Sequence, residues 1–242
     1  MRYALQWIRS LVFQIQLYIV MFFMTVGYAL PALIWPAASL GWMQHFGRYA
    51  RWSAGWMVGL RTEVRGPLPT GGVLIASKHQ SFLDSITLVA ILDTPRFVMK
   101  NQLAKVPIMG WHALRAGFVA VDRGKRGSAI KKMTADVAAG AQTPGQLIIY
   151  PQGTRVAPGV QLPYKLGTAV LYHQLGQTCI PVATNVGAFW PRRGIYRKPG
   201  VAVVEFLPPI PPGLPGHEFM TELERRIETA SDRLLAEAGW KG

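Results

Sequence analysis

The side chains best equipped for chemistry fall in two short polar stretches, Lys78-His79-Gln80-Ser81-Phe82-Leu83-Asp84 and Tyr150-Pro151-Gln152-Gly153-Thr154-Arg155. Each follows an apolar run, Val73–Ala76 and Leu147–Ile149, that reads as a buried strand. Each therefore stands at a strand exit, where open α/β sheets carry their chemistry. Histidine is the side chain suited to taking and returning a proton near neutral pH. In the second stretch, Gly153 permits a tight turn and Arg155 can grip a phosphate bidentately. A base together with an anion clamp predicts group transfer to a phosphorylated acceptor.

His79 and Asp84 would lie about 140° apart on an ideal helix, so they meet only if His79 sits in the turn before it and Asp84 in its first turn. Ser81 and Asp84 also fit a capping box. The two readings are compatible, because a capping carboxylate can still orient an imidazole. Gly153-Thr154-Arg155 is also compatible with an ordinary surface turn.

Four further features lie outside these stretches. Gly117–Arg123 reads as a strand ending in the charge pair Asp122-Arg123, and Lys100 follows another strand. Trp190–Lys198 mixes aromatics with cations and suits lipid headgroups or a nucleic-acid backbone. Cys179 sits in an apolar run and reads as a buried structural residue that rules out an intrachain disulfide. The chain has no cysteine pair, and the histidines at 45, 79, 112, 173 and 217 show no ligand spacing, so no metal and no cofactor are expected.

The elements that must position these groups follow from composition and periodicity. The 242 residues carry 26 Lys and Arg against 12 Asp and Glu, a net charge of +14. Met1–Thr62 holds five arginines and no acid, and six of the twelve acids lie within Glu218–Glu237. The rest of the chain is strongly basic and suits an anionic partner. Leu11–Leu30 is nearly continuously apolar, interrupted by Gln14, Gln16 and Thr25, and is long enough to cross a bilayer core of about 30 Å. Pro31 and Pro36 break it, and Ala37–Leu60 follows as an amphipathic stretch with Trp42, Trp52 and Trp56 near Arg48 and Arg51. A spanning helix followed by an interfacial one, and a hairpin dipping into one leaflet, both fit. Arginines at both ends favour the hairpin.

From Gly66 onward strands and helices alternate, which predicts an α/β fold with a mostly parallel central sheet flanked by helices. The predicted helices include Ser81–Leu92, Gly127–Ala141, Tyr164–Leu175 and Glu218–Glu237, the last with Phe219, Leu223, Ile227, Ala230 and Leu234 on one face. The expected organisation is an N-terminal membrane-associated helical segment, residues 1–65, and an α/β domain, residues 66–242.

In order, His79–Asp84, Gly117–Arg123, Tyr150–Arg155 and Ile180-Pro181-Val182 resemble the four sequence blocks of the 1-acylglycerol-3-phosphate acyltransferases. Lys100 with Leu103, Pro107 and Gly110 follows the same family's pattern, and the resemblance covers about Gly66–Phe206. One position departs: Gln152 stands where the family usually has Glu, and it cannot be an anion. The resemblance implies acyl transfer from a thioester, on CoA or acyl-carrier protein, to the sn-2 hydroxyl of lysophosphatidic acid. His79 is then the base and Asp84 its orienting partner, while Lys100, Arg123, Gln152, Gly153, Thr154 and Arg155 bind the acceptor and its phosphate. The expected partners are a phospholipid surface, lysophosphatidic acid and the acyl donor, without nucleic acid, and the expected location is the cytoplasmic face of a bacterial inner membrane. Other readings are an acyltransferase with another lyso-lipid acceptor, such as a lyso-ornithine lipid, or a non-catalytic membrane-binding module.

Overall fold

A computed structural model gives the structure of the chain and describes residues 2–121, 135 and 145–240. Three helices come first: α1 (Arg2–Gly27), α2 (Ala29–Ile34) and α3 (Ala37–Val58). They lead into β1 (Leu60–Arg65), β2 (Val73–Ser77), α4 (Phe82–Ile91), β3 (Pro95–Lys100), the short helices α5 (Asn101–Ala104) and α6 (Met109–Arg115), and β4 (Val119–Val121). After these come β5 (Gln146–Ile149), α7 (Gly167–Leu175), β6 (Cys179–Thr184), a 3₁₀ turn at Val186–Ala188, β7 (Gly200–Phe206) and α8 (Gly216–Glu237). The helix expected over Gly127–Ala141 falls, Ala135 apart, outside the described residues, as do Asp122 and Arg123.

The seven strands run β1-β7-β6-β2-β5-β3-β4. Every neighbouring pair is parallel except β6 with β7. The mostly parallel sheet read from the sequence is present. β1 was not expected as a strand; it pairs with β7 from Leu60↔Gly200 to Arg65↔Glu205.

Side-chain alternation along the central strands builds two cores. Ile75 and Ile148 pack with Phe13, Leu17, Trp42, Phe46, Leu83 and Ile86, so α1, α3 and α4 cover one face. Leu74, Ala76, Leu147 and Ile149 pack with Leu171, Tyr172, Phe219, Leu223 and Ile227, so α7 and α8 cover the other. Cys179 is fully buried, and burial pushes its thiol up to about 12.

Helix α1 is tied to the rest of the fold along its length. Near its start, the Gln6 amide donates to the carbonyls of Val58 and Arg197 at 2.9 and 2.8 Å. Ser10 Oγ accepts the Arg197 N–H at 2.9 Å, and Gln14 Oε1 accepts the Arg197 guanidinium at 2.8 Å. Near its end, buried His112 on α6 donates from Nε2 to the Thr25 carbonyl at 3.0 Å, which leaves Nδ1 to accept from Ser39 Oγ at 3.0 Å. Burial pushes His112 below its ordinary range and so favours this neutral form. Arg115 caps α2 through the carbonyls of Ala32 and Leu33.

The opposite face of α1, with Ile8, Val12, Ile15, Ile19, Phe22 and Phe23, is exposed and apolar. The Trp190–Lys198 stretch divides differently from the sequence expectation. Trp190 and Arg197 are buried against each other, the guanidinium 4.4 Å above the indole, and only Arg192, Arg193 and Lys198 stay exposed with their charge. Arg197 serves α1 before any outside anion.

Helices α3 and α4 approach closely at Gly47, where an added Cβ would come 2.9 Å from both the Ala90 Cβ and the Ile86 carbonyl oxygen. Gly47→Val should therefore cost about 1–3 kcal/mol by overpacking, and several degrees of Tm in a thermal melt at roughly 2–4 °C per kcal/mol. Gly41→Ala, on the same helix with nothing within 4 Å, serves as the control and should hold or raise Tm. A parent-like melt for Gly47→Val would contradict the close packing of α3 on α4.

Candidate active site

β2 and β5 are parallel neighbours, paired from Val73↔Gln146 to Ala76↔Ile149. Their exits therefore adjoin, and the two polar stretches are brought together by sheet order. The alternation of β2 continues past its end. Positions 73, 75 and 77 face α4 and positions 74 and 76 face α8, so His79 turns to the α4 side and Lys78 to the other. Tyr150, following Ile148 in β5, turns to the α4 side as well.

α4 begins at Ser81. The Ser81 hydroxyl accepts the Leu83 N–H at 3.2 Å, while Asp84 Oδ2 accepts the Ser81 N–H at 2.8 Å, closing a capping box. The same oxygen accepts the Gln80 N–H at 2.7 Å and meets His79 Nδ1 at 2.8 Å. An oxygen already accepting two N–H groups takes a third donor, so Nδ1 carries the proton and Nε2 keeps its lone pair. Asp84 is 1% exposed and His79 16%, so the carboxylate is shut away while one imidazole edge reaches the surface.

The ring is fixed on a second side. Tyr150 stacks on His79 with centroids 3.8 Å apart and planes 13° from parallel. The Tyr150 hydroxyl shares a 2.7 Å hydrogen bond with Ser85 on α4. Burial first, and the charge of Asp84 second, push the Tyr150 phenol well above its ordinary range, so it stays a neutral hydroxyl. The His79 carbonyl accepts the Val156 N–H at 2.8 Å, joining the end of β2 to the loop that follows β5.

In that loop Gly153 has φ +68°, and a Cβ there would lie 2.8 Å from Lys165 Nζ. The left-handed backbone here calls for glycine, and the Lys165 side chain passes close over it. Thr154 and Arg155 are half-buried. The Arg155 carbonyl accepts from Arg192 at 3.2 Å, and the Arg155 guanidinium makes no ion pair among the described residues. Gln152 is turned inward: it is buried, and its amide donates to the Leu162 carbonyl at 3.3 Å, bracing the loop. Lys100 is exposed at the C-terminal end of β3, on the far side of β5 from β2. Arg123 lies outside the described residues. The structure thus brings His79, Asp84 and the Gly153–Arg155 loop together and leaves Lys100 at a separate strand exit. Among the described residues no group of His, Cys, Asp and Glu is arranged to hold a metal ion.

The family model for acyltransferases matches residues 61–185, just over half of the chain, and contains both strand exits. The chain belongs to the acyltransferase family. It is similar to the 1-acyl-sn-glycerol-3-phosphate acyltransferase of Pseudomonas aeruginosa, 29% identical over 197 residues, 81% of this chain and 77% of that protein. It is also similar to the mouse 1-acyl-sn-glycerol-3-phosphate acyltransferase alpha, 31% identical over 164 residues, 65% of this chain and 57% of that protein. The crystal structure of the 1-acyl-sn-glycerophosphate (LPA) acyltransferase from Thermotoga maritima shares the fold, with a TM-score of 0.78 over 96% of this chain and 98% of that one, at 20% identity.

Two contributors to this acyltransferase's site were not singled out in the sequence, the Tyr150 ring and the Lys165 side chain. The alternation that points Tyr150 toward His79 was available in the strand pattern. The approach of Lys165 was not, because it depends on how the loop folds back through the Lys165 N–H to the Pro151 carbonyl at 2.9 Å.

The three donors on Asp84 Oδ2 predict how substitutions there separate. Asp84→Ala leaves two buried backbone N–H groups and the His79 N–H without an acceptor, at roughly 1–3 kcal/mol for each group that water cannot reach. It should lower Tm by at least ~5 °C. Asp84→Asn keeps an acceptor oxygen in place and should recover at least half of that loss. Equal melting temperatures for all three proteins would mean that the carboxylate does not hold the turn.

Proposed function

We propose that this acyltransferase moves a fatty acyl group from an acyl thioester, on CoA or acyl-carrier protein, to the sn-2 hydroxyl of 1-acylglycerol-3-phosphate, giving phosphatidic acid. The observation that carries the reading is the imidazole of His79, held through Nδ1 by Asp84 at 2.8 Å and stacked on Tyr150, beside a loop whose Arg155 makes no ion pair among the described residues. His79 Nε2 takes the proton of the acceptor hydroxyl as its oxygen attacks the thioester carbonyl. Asp84 balances the imidazolium that forms, and that proton then leaves on the departing thiolate. The nucleophile is the acceptor's own oxygen, so no serine of the protein is acylated. Arg155, aided by the turn at Gly153 and Thr154, binds the acceptor phosphate, and Lys100 adds positive charge at a neighbouring strand exit. Relatives named 1-acyl-sn-glycerol-3-phosphate acyltransferases support the choice of acceptor.

The same reading seats the protein in one leaflet, on the cytoplasmic face of a bacterial inner membrane. α1 is long and apolar enough to cross a bilayer. Its two ends, however, are both hydrogen-bonded to the sheet domain, through Gln6 and Thr25. That arrangement favours a helix lying in the interface with Ile15, Ile19 and Phe22 in the acyl region. Trp52 and Trp56, both exposed, suit the headgroup layer.

His79→Ala should lower turnover by at least about 10²-fold, the usual range for a lost general base, with expression unchanged. Near-normal turnover would refute the mechanism. For the acceptor, Arg155→Ala should cost on the order of 10- to 100-fold in kcat/KM for lysophosphatidic acid, since a charge-assisted contact contributes about 1.5–3 kcal/mol. The loss should be much smaller for a lyso-lipid without a terminal phosphate, such as a lyso-ornithine lipid. Equal losses on both acceptors would assign Arg155 to the donor or to the loop.

The membrane seat is tested by changing the exposed face alone. Ile15→Glu, Ile19→Glu and Phe22→Glu together should shift much of the protein from the membrane pellet to the soluble fraction while leaving Tm near the parent's. Retention in the pellet would contradict the one-leaflet reading.

A further inference from the structure

On the face of the sheet opposite the His79 ring lies a buried charged group that the proposed chemistry does not use. Lys78 extends from the end of β2 toward α8, and its Nζ is 2.5 Å from Glu228 Oε2. The two side chains are 3% and 13% exposed. The other oxygen of Glu228 accepts the Tyr164 hydroxyl at 2.8 Å. Burial first, and Glu228 second, push the Tyr164 phenol above its ordinary range, so it remains a proton donor to that carboxylate.

The three residues come from the places where the site's two segments are anchored. Lys78 immediately precedes His79, and its N–H is held by the Val182 carbonyl of β6 at 2.9 Å. Tyr164 immediately precedes Lys165, whose N–H closes the loop onto Pro151 and whose side chain lies over Gly153. One carboxylate on the C-terminal helix therefore joins the base-bearing strand exit to the closing end of the anion-binding loop. Removing two charges from water costs enough that a buried pair is a poor device for stability alone, and apolar replacements are often neutral or stabilising. What such a pair supplies is a fixed geometry, because neither partner can leave the other without an unpaired buried charge.

We propose that Lys78, Glu228 and Tyr164 are positioning residues that set the distance between His79 and the Gly153–Arg155 loop, and so the placement of the acceptor hydroxyl against the base. Lys78 acts on the imidazole side and Tyr164 on the acceptor side. The proposal rests on the acyl-transfer reading given above.

The test separates the two arms in the full-length protein, with kcat and KM for lysophosphatidic acid measured at saturating acyl thioester. Lys78→Met with Glu228→Gln removes both charges at similar volume and keeps an acceptor for the Tyr164 hydroxyl. Its Tm should match or exceed the parent's, while kcat falls at least about 10-fold, the scale of a sub-ångström to ångström misplacement. Tyr164→Phe should leave kcat within about two-fold and raise KM for the acceptor about five-fold, the equivalent of one lost hydrogen bond. The His79 ring signals in ¹⁵N-histidine NMR spectra, assigned by their loss in His79→Ala, should shift in the double variant and stay unchanged in Tyr164→Phe.

A double variant with parent-like kcat and unshifted His79 signals would overturn the proposal. So would equal kcat and KM effects in both arms, which is the pattern of a merely structural role. If the double variant does not fold, Glu228→Gln decides. It keeps an acceptor for Tyr164 and unpairs Lys78, so it should lower kcat and spare KM, and an unchanged kcat overturns the proposal. If the parent transfers nothing to lysophosphatidic acid, the acceptor reading fails, and the His79 signals alone decide the positioning.

Discussion

One oxygen organises this site. Asp84 Oδ2 accepts the N–H groups of Gln80 and Ser81 and the Nδ1 proton of His79. Because the oxygen is buried, none of these donors has water as a substitute, and loss of any one contact leaves an orphaned polar group. The same three bonds start α4, fix the turn after β2 and choose the imidazole tautomer. Helix capping and base orientation are one arrangement here, because the turn that caps the helix also carries the histidine.

Everything further out serves that turn. α4 lies where it does because α3 meets it at Gly47 with no side chain between them. α3 is held in turn by α1, and α1 is bound to the sheet domain by Gln6, Ser10, Gln14 and the Thr25 carbonyl. The face that contacts lipid in the proposed seat is thus part of the same packed body as the base. Phe13, Leu17, Trp42 and Phe46 belong to the core that contains Leu83 and Ile86 of α4. Removing the N-terminal helices would strip one face of the sheet rather than release an independent domain.

Much of this was readable in the chain because the deciding patterns are local. The apolar runs before His79 and Tyr150 gave β2 and β5, the Ser81–Asp84 spacing gave the cap, and the Phe219–Leu234 stripe gave the buried face of α8. What was not readable depends on partners distant in sequence. β1 is too polar and too mixed in pattern to announce itself, and it is a strand because β7 lies beside it. Gln14 looked like an interruption of an apolar helix until Arg197, far along the chain, supplied its partner. The cations of Trp190–Lys198 looked equivalent, yet Arg197 is buried and Arg192 is not. Gln152 looked like a substrate contact from its motif, but whether a loop side chain faces in or out is set by the return of the loop at Leu162.

The central claim is that the acceptor's hydroxyl, activated by His79, attacks the thioester directly. The most direct measurement mixes full-length protein with excess acyl thioester in the absence of acceptor, follows free thiol on the millisecond scale and weighs the intact protein. The account predicts no stoichiometric burst of thiol and no acyl adduct, with thiol release beginning only when lysophosphatidic acid is added. A burst of one thiol per protein together with a mass increase of one acyl group would contradict it.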